Sequence, residues 1–594
     1  MSNSEPKELT YARQFINKGN FDKAIQIISD FEKKGGITAH AITSCHLLKC
    51  DLLIQRGCYE NALNLAEQTY KESMELGKNL LSVDALIYSA KSLVWLNKHD
   101  KALNITNQAE KLLKSFTLDS STEYKQREAY IFFIKSLFNF FDLDERLNYA
   151  EQSLLLREEL GIKNEIAESM RTIAHLHAAY KGEFDYALDY LKRGLSFAEE
   201  SKNKYCIAMV LRTLMLTYGM RGDFDQAIIY GLQGLAIFEE INNKPRISLM
   251  LNTIGTNYRM KGELDRALEY LQRSIAICEE LGLPSDLALV FGTLIEITVD
   301  MDNLELAQKY LERIKQIRDQ EENEWINLLY RFGMVDILKT SKRAKNRVKA
   351  EKLLKEIIEE SFQTYFTILA ILSLSDLLLV ELRITSDTKV LVELKTYINR
   401  LLEYAETSNS YWLLAETYLL QAKISLININ IGEARRYLIQ AQQIAERNGL
   451  SGLYKKIENE HEKLLSQLTL WEQLKELNAT ITERMELANI SEHMNLMLRN
   501  RRMITIQTSK DKVAIQEERI ICLVCKGDIV GFSYVCECEA MYCENCAKTL
   551  ANLENVCWVC NVPIDKSRPT KPYMKDERKK EMKISEKNQK EINK

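Results

Sequence analysis

A chain of 594 residues, 46% apolar and 28% charged, has the make-up of a folded protein with several domains or one long repeat array. Its formal charge of −4 argues against nucleic acid as the main partner, because a polyanion binder would carry a basic excess. It has six prolines, with none between Pro6 and Pro245 or between Pro284 and Pro563, so helices are expected nearly throughout.

The chain opens on polar residues, Met1 to Lys7, with no secretory signal, and a cytoplasmic location is expected. Cys45, Cys50, Cys58, Cys206 and Cys278 are scattered over helical patterns, which fits a reducing compartment rather than a disulfide framework.

From the start to about residue 452 a motif recurs. GNFDKAI begins at Gly19, GCYENAL at Gly57 and KHDKAL at Lys98. GEFDYAL at Gly182, GDFDQAI at Gly222, GELDRAL at Gly262 and DNLELAQ at Asp302 follow one another at intervals of 40 residues. The motif's alanine falls at Ala24, Ala62, Ala102, Ala187, Ala227, Ala267 and Ala307, with Leu147 in the matching place of one copy. Weaker copies centre on Ala350 and Ala434, with another near Val392. Glycine ends a helix in the left-handed conformation, and the acidic residues after it favour the next helix start. A small alanine then lets two helices approach, and Leu268, Leu271, Ile275 and Cys278 continue at helical spacing. Each unit is a helical hairpin that buries its apolar face only by stacking on its neighbours.

This pattern resembles tetratricopeptide repeats, in a longer variety of about forty residues. The copy with Gly255, Tyr258, Gly262, Ala267 and Leu271 holds the family's small, aromatic, turn, small and large apolar positions. The resemblance implies an all-α fold, a helical-repeat superhelix over residues 7–452. Its concave face, lined by the first helix of each pair, would bind a protein partner. Thr253 and Thr256 stand where the family's carboxylate clamp needs other residues, so binding of chaperone tails is not expected.

The most apolar run, Tyr365 to Leu382, contains Asp376, Ser and Thr and reads as a buried helix rather than a membrane span. No membrane partner is expected. Leu470, Leu474, Leu477, Ile481 and Met485 predict one long amphipathic helix over 453–501. It would serve either as a coiled coil, making a homodimer, or as a cap packed back on the last repeat. Residues 502–518 read as a linker and the charged tail 567–594 as disordered.

Residues 519–566 carry eight clustered cysteines: Cys522, Cys525, Cys536, Cys538, Cys543, Cys546, Cys557 and Cys560. They form C-x2-C, C-x-C, C-x2-C and C-x2-C knuckles. A tetrahedral zinc site takes four soft donors, and each knuckle supplies two, so two zinc ions are expected. Eight thiolates and two zinc ions would move the formal charge from −4 to about −8. The knuckles can pair in an interleaved or a sequential order; closed sites of this kind argue against a redox role.

The order of knuckles resembles RING fingers, in particular the all-cysteine RINGs of deadenylase-associated ubiquitin ligases. That resemblance implies the interleaved order, with Cys522, Cys525, Cys543 and Cys546 on one zinc and Cys536, Cys538, Cys557 and Cys560 on the other. It implies a surface for a ubiquitin-conjugating enzyme, with Val524 and Leu550 at its apolar positions. Trp558 and Asn561 replace the family's usual proline and cation, which weakens the contact to ubiquitin; Trp558 is then a core or contact residue. The phosphoinositide-binding fingers have a histidine-containing motif, and no histidine follows His493. The chain holds no Walker phosphate loop, H-E-x-x-H, G-x-S-x-G or G-x-G-x-x-G, and His175 and His177 read as structural or surface residues. The expected protein is therefore an adaptor without a self-contained catalytic site. Its zinc module either recruits a conjugating enzyme or acts only as a docking element of a non-enzymatic scaffold.

Overall fold

The computed structural model describes residues 6–502 apart from loop positions 35, 78–79, 97, 117–120, 139–140, 142, 322, 342, 361–363, 408–409, 448–449 and 478. Beyond these it describes residues 522, 524, 532–536, 541–543, 546–548, 556–557, 563 and 571–572. The described residues fall into two compact units: residues 6–410 with 489–502, and residues 411–488 with those from 522 onward.

The first unit is a stack of helical hairpins: α1 Lys7–Asn17 with α2 Phe21–Glu32, α3 Ala39–Gln55 with α4 Tyr59–Glu75, and α5 Leu80–Trp95 with α6 His99–Lys114. Next come α7 Thr122–Ser136 with α8 Leu143–Leu160, α9 Lys163–Leu176 with α10 Phe184–Ser201, and α11 Lys204–Arg221 with α12 Phe224–Glu240. Then follow α13 Lys244–Met260 with α14 Leu264–Leu281, α15 Pro284–Asp300 with α16 Leu304–Gln320, α17 Glu324–Lys339 with α18 Ala344–Glu360, and α19 Thr364–Thr385 with α20 Thr388–Thr407. The second unit begins with α21 Tyr411–Ile427 and α22 Ile431–Arg447, then α23 Ser451–Ser466, α24 Leu468–Glu476 and α25 Ile481–Ala488. The last helix, α26 Ile490–Arg502, belongs to the first unit.

The repeat motif acts as its residue types require. Gly182, Gly222 and Gly262 adopt φ of 72°, 90° and 82°, a left-handed turn that an L side chain resists. The motif alanines from Ala24 to Ala434 sit in the first two turns of the second helix of each pair and are fully buried. Gly255 marks a close approach of the two helices: a Cβ there would stand 2.9 Å from Leu271 Cγ and 3.2 Å from the Ala267 carbonyl oxygen. Stacked rings repeat on the same pairs of helices, Tyr218 on Tyr230 and Tyr258 on Tyr270, each at 5.4 Å. The copy near Val392 is differently registered. Val392 is 65% exposed on α20, and Leu391 and Leu394 are its buried neighbours.

The stretch from 453 to 501 is not one helix. Gln467 (φ −104°, ψ 8°) separates α23 from α24. Thr480 and Glu483 form a reciprocal capping box that starts α25 afresh: the Thr480 N–H donates to Glu483 Oε2 at 2.7 Å and the Glu483 N–H to Thr480 Oγ1 at 3.3 Å. Asn489 then takes a left-handed φ of 50° before α26. Leu470 and Leu477 of the expected apolar seam are exposed, while Met485 packs inside. No helix among the described residues is long and apolar enough to cross a membrane, and the run Tyr365 to Leu382 lies within buried α19.

Helices α1 to α3 share one apolar core with α9 to α17. The Asn203 side-chain amide donates to Asn17 Oδ1 at 3.1 Å, and that of Asn243 donates to the Gln55 carbonyl at 2.8 Å. A Cβ on Gly19 would overlap Ile241, and one on Gly57 would overlap Asn243 and Pro245. The N-terminal ends of α11 and α13 are thus covered by the chain's own first repeats.

Candidate metal centre

C-terminal of the helices the described residues form a small sheet. β1 Phe532–Val535 pairs antiparallel with β2 Met541–Cys543, with Ser533 opposite Cys543 and Val535 opposite Met541. On its other edge β1 pairs with β3 Lys571–Pro572, so these two residues of the expected disordered tail are strand; the rest of that tail lies outside the described residues.

The hairpin sorts the cysteines. Cys536 follows β1 directly, whereas Cys543 ends β2 opposite Ser533. Three strand residues, about 10 Å at ~3.4 Å each, therefore separate the two positions along the hairpin. Sulfurs on one tetrahedral zinc stand only about 3.8 Å apart, given Zn–S bonds of about 2.3 Å. Cys536 and Cys543 cannot share an ion. Instead the Sγ atoms of Cys522, Cys543 and Cys546 lie within 4.8 Å of one another, with Cys522 and Cys546 buried. The backbone N–H of Cys543 donates to Cys522 Sγ at 3.3 Å. These three belong to the first and third knuckles, the combination that the interleaved order requires. The donor set, its closeness and the N–H aimed at a sulfur all fit a thiolate-bound zinc.

Cys536 and Cys557 are also buried, and the Tyr542 hydroxyl lies 3.1 Å from Cys557 Sγ. Cys546 Sγ stands 3.6 Å from Gln443 Oε1 of α22. A neutral thiol would donate to that amide oxygen; a thiolate would instead take the amide N–H. Neither Tyr542 nor Gln443 was singled out by the sequence. The tyrosine beside Cys543, facing Tyr534 across the hairpin, was the available signal. Cys525, Cys538, Cys560, Leu550 and Trp558 lie outside the described residues. Val524, which the RING resemblance places on a contact surface, is 1% exposed and packs inward. A module this small has few other apolar side chains to form a core.

The remaining cysteines are of another kind. Burial pushes the thiols of Cys45, Cys50 and Cys206 up to about 12 and that of Cys278 to about 11, so they stay protonated. Of the two paired histidines, His177 lies on a π-helical turn and bonds to Glu183, while burial and then Arg171, Arg146 and Arg212 pull His175 down to about 3.

Fold and sequence together define a helical-repeat protein with a cysteine cluster at its C-terminal side. Residues 202–280 match the tetratricopeptide repeat family. No curated protein matches the chain. Among solved structures it is similar to aspartyl phosphate phosphatase F from Bacillus subtilis, at 17% identity over 60% of this chain and 94% of that one, with a TM-score of 0.38. It is similar also to RapI in its apo form, at 15% identity over 60% and 96% of the two chains, with a TM-score of 0.43. A third is a signal-transduction ATPase with a tetratricopeptide repeat sensor from Pyrococcus horikoshii, at 15% identity over 58% and 53%, with a TM-score of 0.37. Likeness at this level carries no activity from them to this chain.

Proposed function

We propose that this chain is a protein-interaction adaptor. Its tetratricopeptide repeats take a protein partner, and a RING-like module holding two zinc ions recruits a ubiquitin-conjugating enzyme to it. The observation that supports this most is the meeting of Cys522 with Cys543 and Cys546, because only an interleaved arrangement brings those sulfurs together. The first zinc would be held by Cys522, Cys525, Cys543 and Cys546, the second by Cys536, Cys538, Cys557 and Cys560. Zinc would supply fold stability only; recruitment is the work of the protein surface. A cytoplasmic location is part of the proposal and rests on scattered cysteines that form no disulfide among the described residues.

A second reading, a non-enzymatic scaffold whose finger only docks, is favoured by the burial of Val524. One pair of measurements separates them. Elemental analysis of the purified chain should return two zinc ions. Discharge of ubiquitin from a panel of charged conjugating enzymes should then be accelerated, and Leu550→Ala should abolish the acceleration with zinc retained. Two zinc ions without any discharge would favour the scaffold, and fewer than two would end the RING-like reading.

A further inference from the structure

In the first unit, arginines of α9, α11 and α13 act on one another. Arg171 and His175 come from α9, Tyr205 and Arg212 from α11, and Arg246 from α13; the first repeats add Tyr59 of α4 and Trp95 of α5. Glu168, the carboxylate acting on Arg171, is already committed to Arg157 at 3.3 Å and Lys91 at 3.8 Å. Arg246 has Asp286 near it and lies over the Trp95 ring at 4.1 Å. The charges that act most on Arg212 are those of Arg246 and Arg171, both of its own sign; no carboxylate is among them.

The donors around this charge are unspent. Arg212 Nε, Arg246 Nε, Trp95 Nε1 and the hydroxyls of Tyr59 and Tyr205 are buried without a hydrogen-bond partner among the described residues. Arg246 can only donate to these two hydroxyls, which leaves the O–H of each without an acceptor among the described residues. Burial followed by the two like charges pulls Arg212 down to about 9, an unusual fate for a guanidinium. A half-buried cation that faces like charges and buried donors without a partner each cost stability, so their meeting calls for an occupant.

We propose that Arg212, with Arg171, Arg246, Tyr59 and Tyr205 around it, forms an internal binding site for an oxyanion, a phosphate or a carboxylate carried by a ligand. Guanidinium groups suit both, through paired N–H donors, and hydroxyl donors complete the shell. The site is built only when the first repeats close on α11 and α13, so occupancy would also hold that closure in place.

The test is thermal unfolding of the full chain titrated with inorganic phosphate or with acetate against chloride at matched ionic strength. The expected result is a saturable rise in Tm with at least one anion. Arg212→Gln should remove it, Arg212→Lys should keep part of it, and Tyr205→Phe should weaken the apparent affinity several-fold. In chloride alone Arg212→Gln should unfold at or above the wild-type temperature, since it removes an unpaired charge. A response to phosphate but not acetate assigns the phosphate source, and the reverse assigns the carboxylate. No saturable rise with either anion overturns the proposal, as does a rise that Arg212→Gln retains. Should Arg212→Gln not fold, the Tyr205→Phe affinity decides in the same sense.

Discussion

The backbone N–H of Cys543 donates to Cys522 Sγ at 3.3 Å, tying together two residues 21 apart in sequence. A sulfur that accepts a main-chain N–H is prepared to carry negative charge, and Cys546 stands beside it. In the proposed two-zinc module, replacing Cys543 by Ser should therefore remove one ion and leave the other, while Cys557→Ser should do the complementary thing. A structural zinc is worth on the order of 10–16 kcal/mol in small peptides, so a chelator should unfold residues 520–565. Elemental analysis checks the counts. Circular dichroism should show the near-ultraviolet signal of Trp558 lost and the far-ultraviolet helical signal kept.

Tyr542 presents its hydroxyl to Cys557 Sγ at 3.1 Å. Partners of ligands typically tune metal affinity 10- to 100-fold. Tyr542→Phe should weaken zinc retention at the Cys557 site about 10-fold, measured by competition with a chromophoric chelator, with the fold intact.

Arg157 is fully buried, donates to the Glu165 carbonyl and Ser169 Oγ at 2.9 Å each, and pairs with Glu168 at 3.3 Å. Its guanidinium also lies over the rings of Tyr130 and Phe133 at 4.8 and 4.6 Å. Arg157→Ala leaves buried Glu165 and half-buried Glu168 without it and should destabilise the first unit by about 3–5 kcal/mol. Arg157→Met, which keeps the packing volume, should cost less than Ala. Denaturant midpoints of the two variants give the order.

His175 is held at about 3, below its ordinary 6.5, by burial and by three arginines. The unfolded chain takes up this proton below pH 6.5 while the folded one resists it. The associated loss of stability is absent above pH 6.5 and grows as pH falls toward 3, at about 1.4 kcal/mol per unit. His175→Gln should flatten the fall in unfolding free energy between pH 6 and 4 by about that slope. An unchanged slope would show that other groups set the acid response.

The repeats were legible because their signals are local: a glycine in the left-handed region and an alanine at a close helix crossing leave a mark at fixed intervals. The copy near Val392 lost its register because α20 carries no alanine there and buries Leu391 and Leu394 instead. The division of 453–501 into four helices was partly written in the chain. Thr480 and Glu483 are spaced as a capping box, and an apolar seam running through them hid it. The cysteine cluster was legible as spacing, and Cys522, Cys543 and Cys546 do meet, whereas the inward turn of Val524 follows from how little else the module can bury. The meeting of Tyr59 and Trp95 with Arg212 and Arg246 was not legible, since it depends on closure between residues more than a hundred positions apart.

Asn489, with its left-handed backbone, returns the chain to the first unit, where Ile490, Met494 and Met497 of α26 are fully buried. There α26 packs on α19, and Arg383 donates to Ser491 Oγ at 2.8 Å. Residues 411–488 are therefore an excursion, and the chain comes back to finish what it left. Any attempt to isolate the repeats by stopping at residue 410 or 460 would strip this cover and bare the apolar side of α19. A fragment cut that way would adhere to other proteins for reasons unrelated to its biological partner, so partner capture has to be done with residues 489–502 still attached.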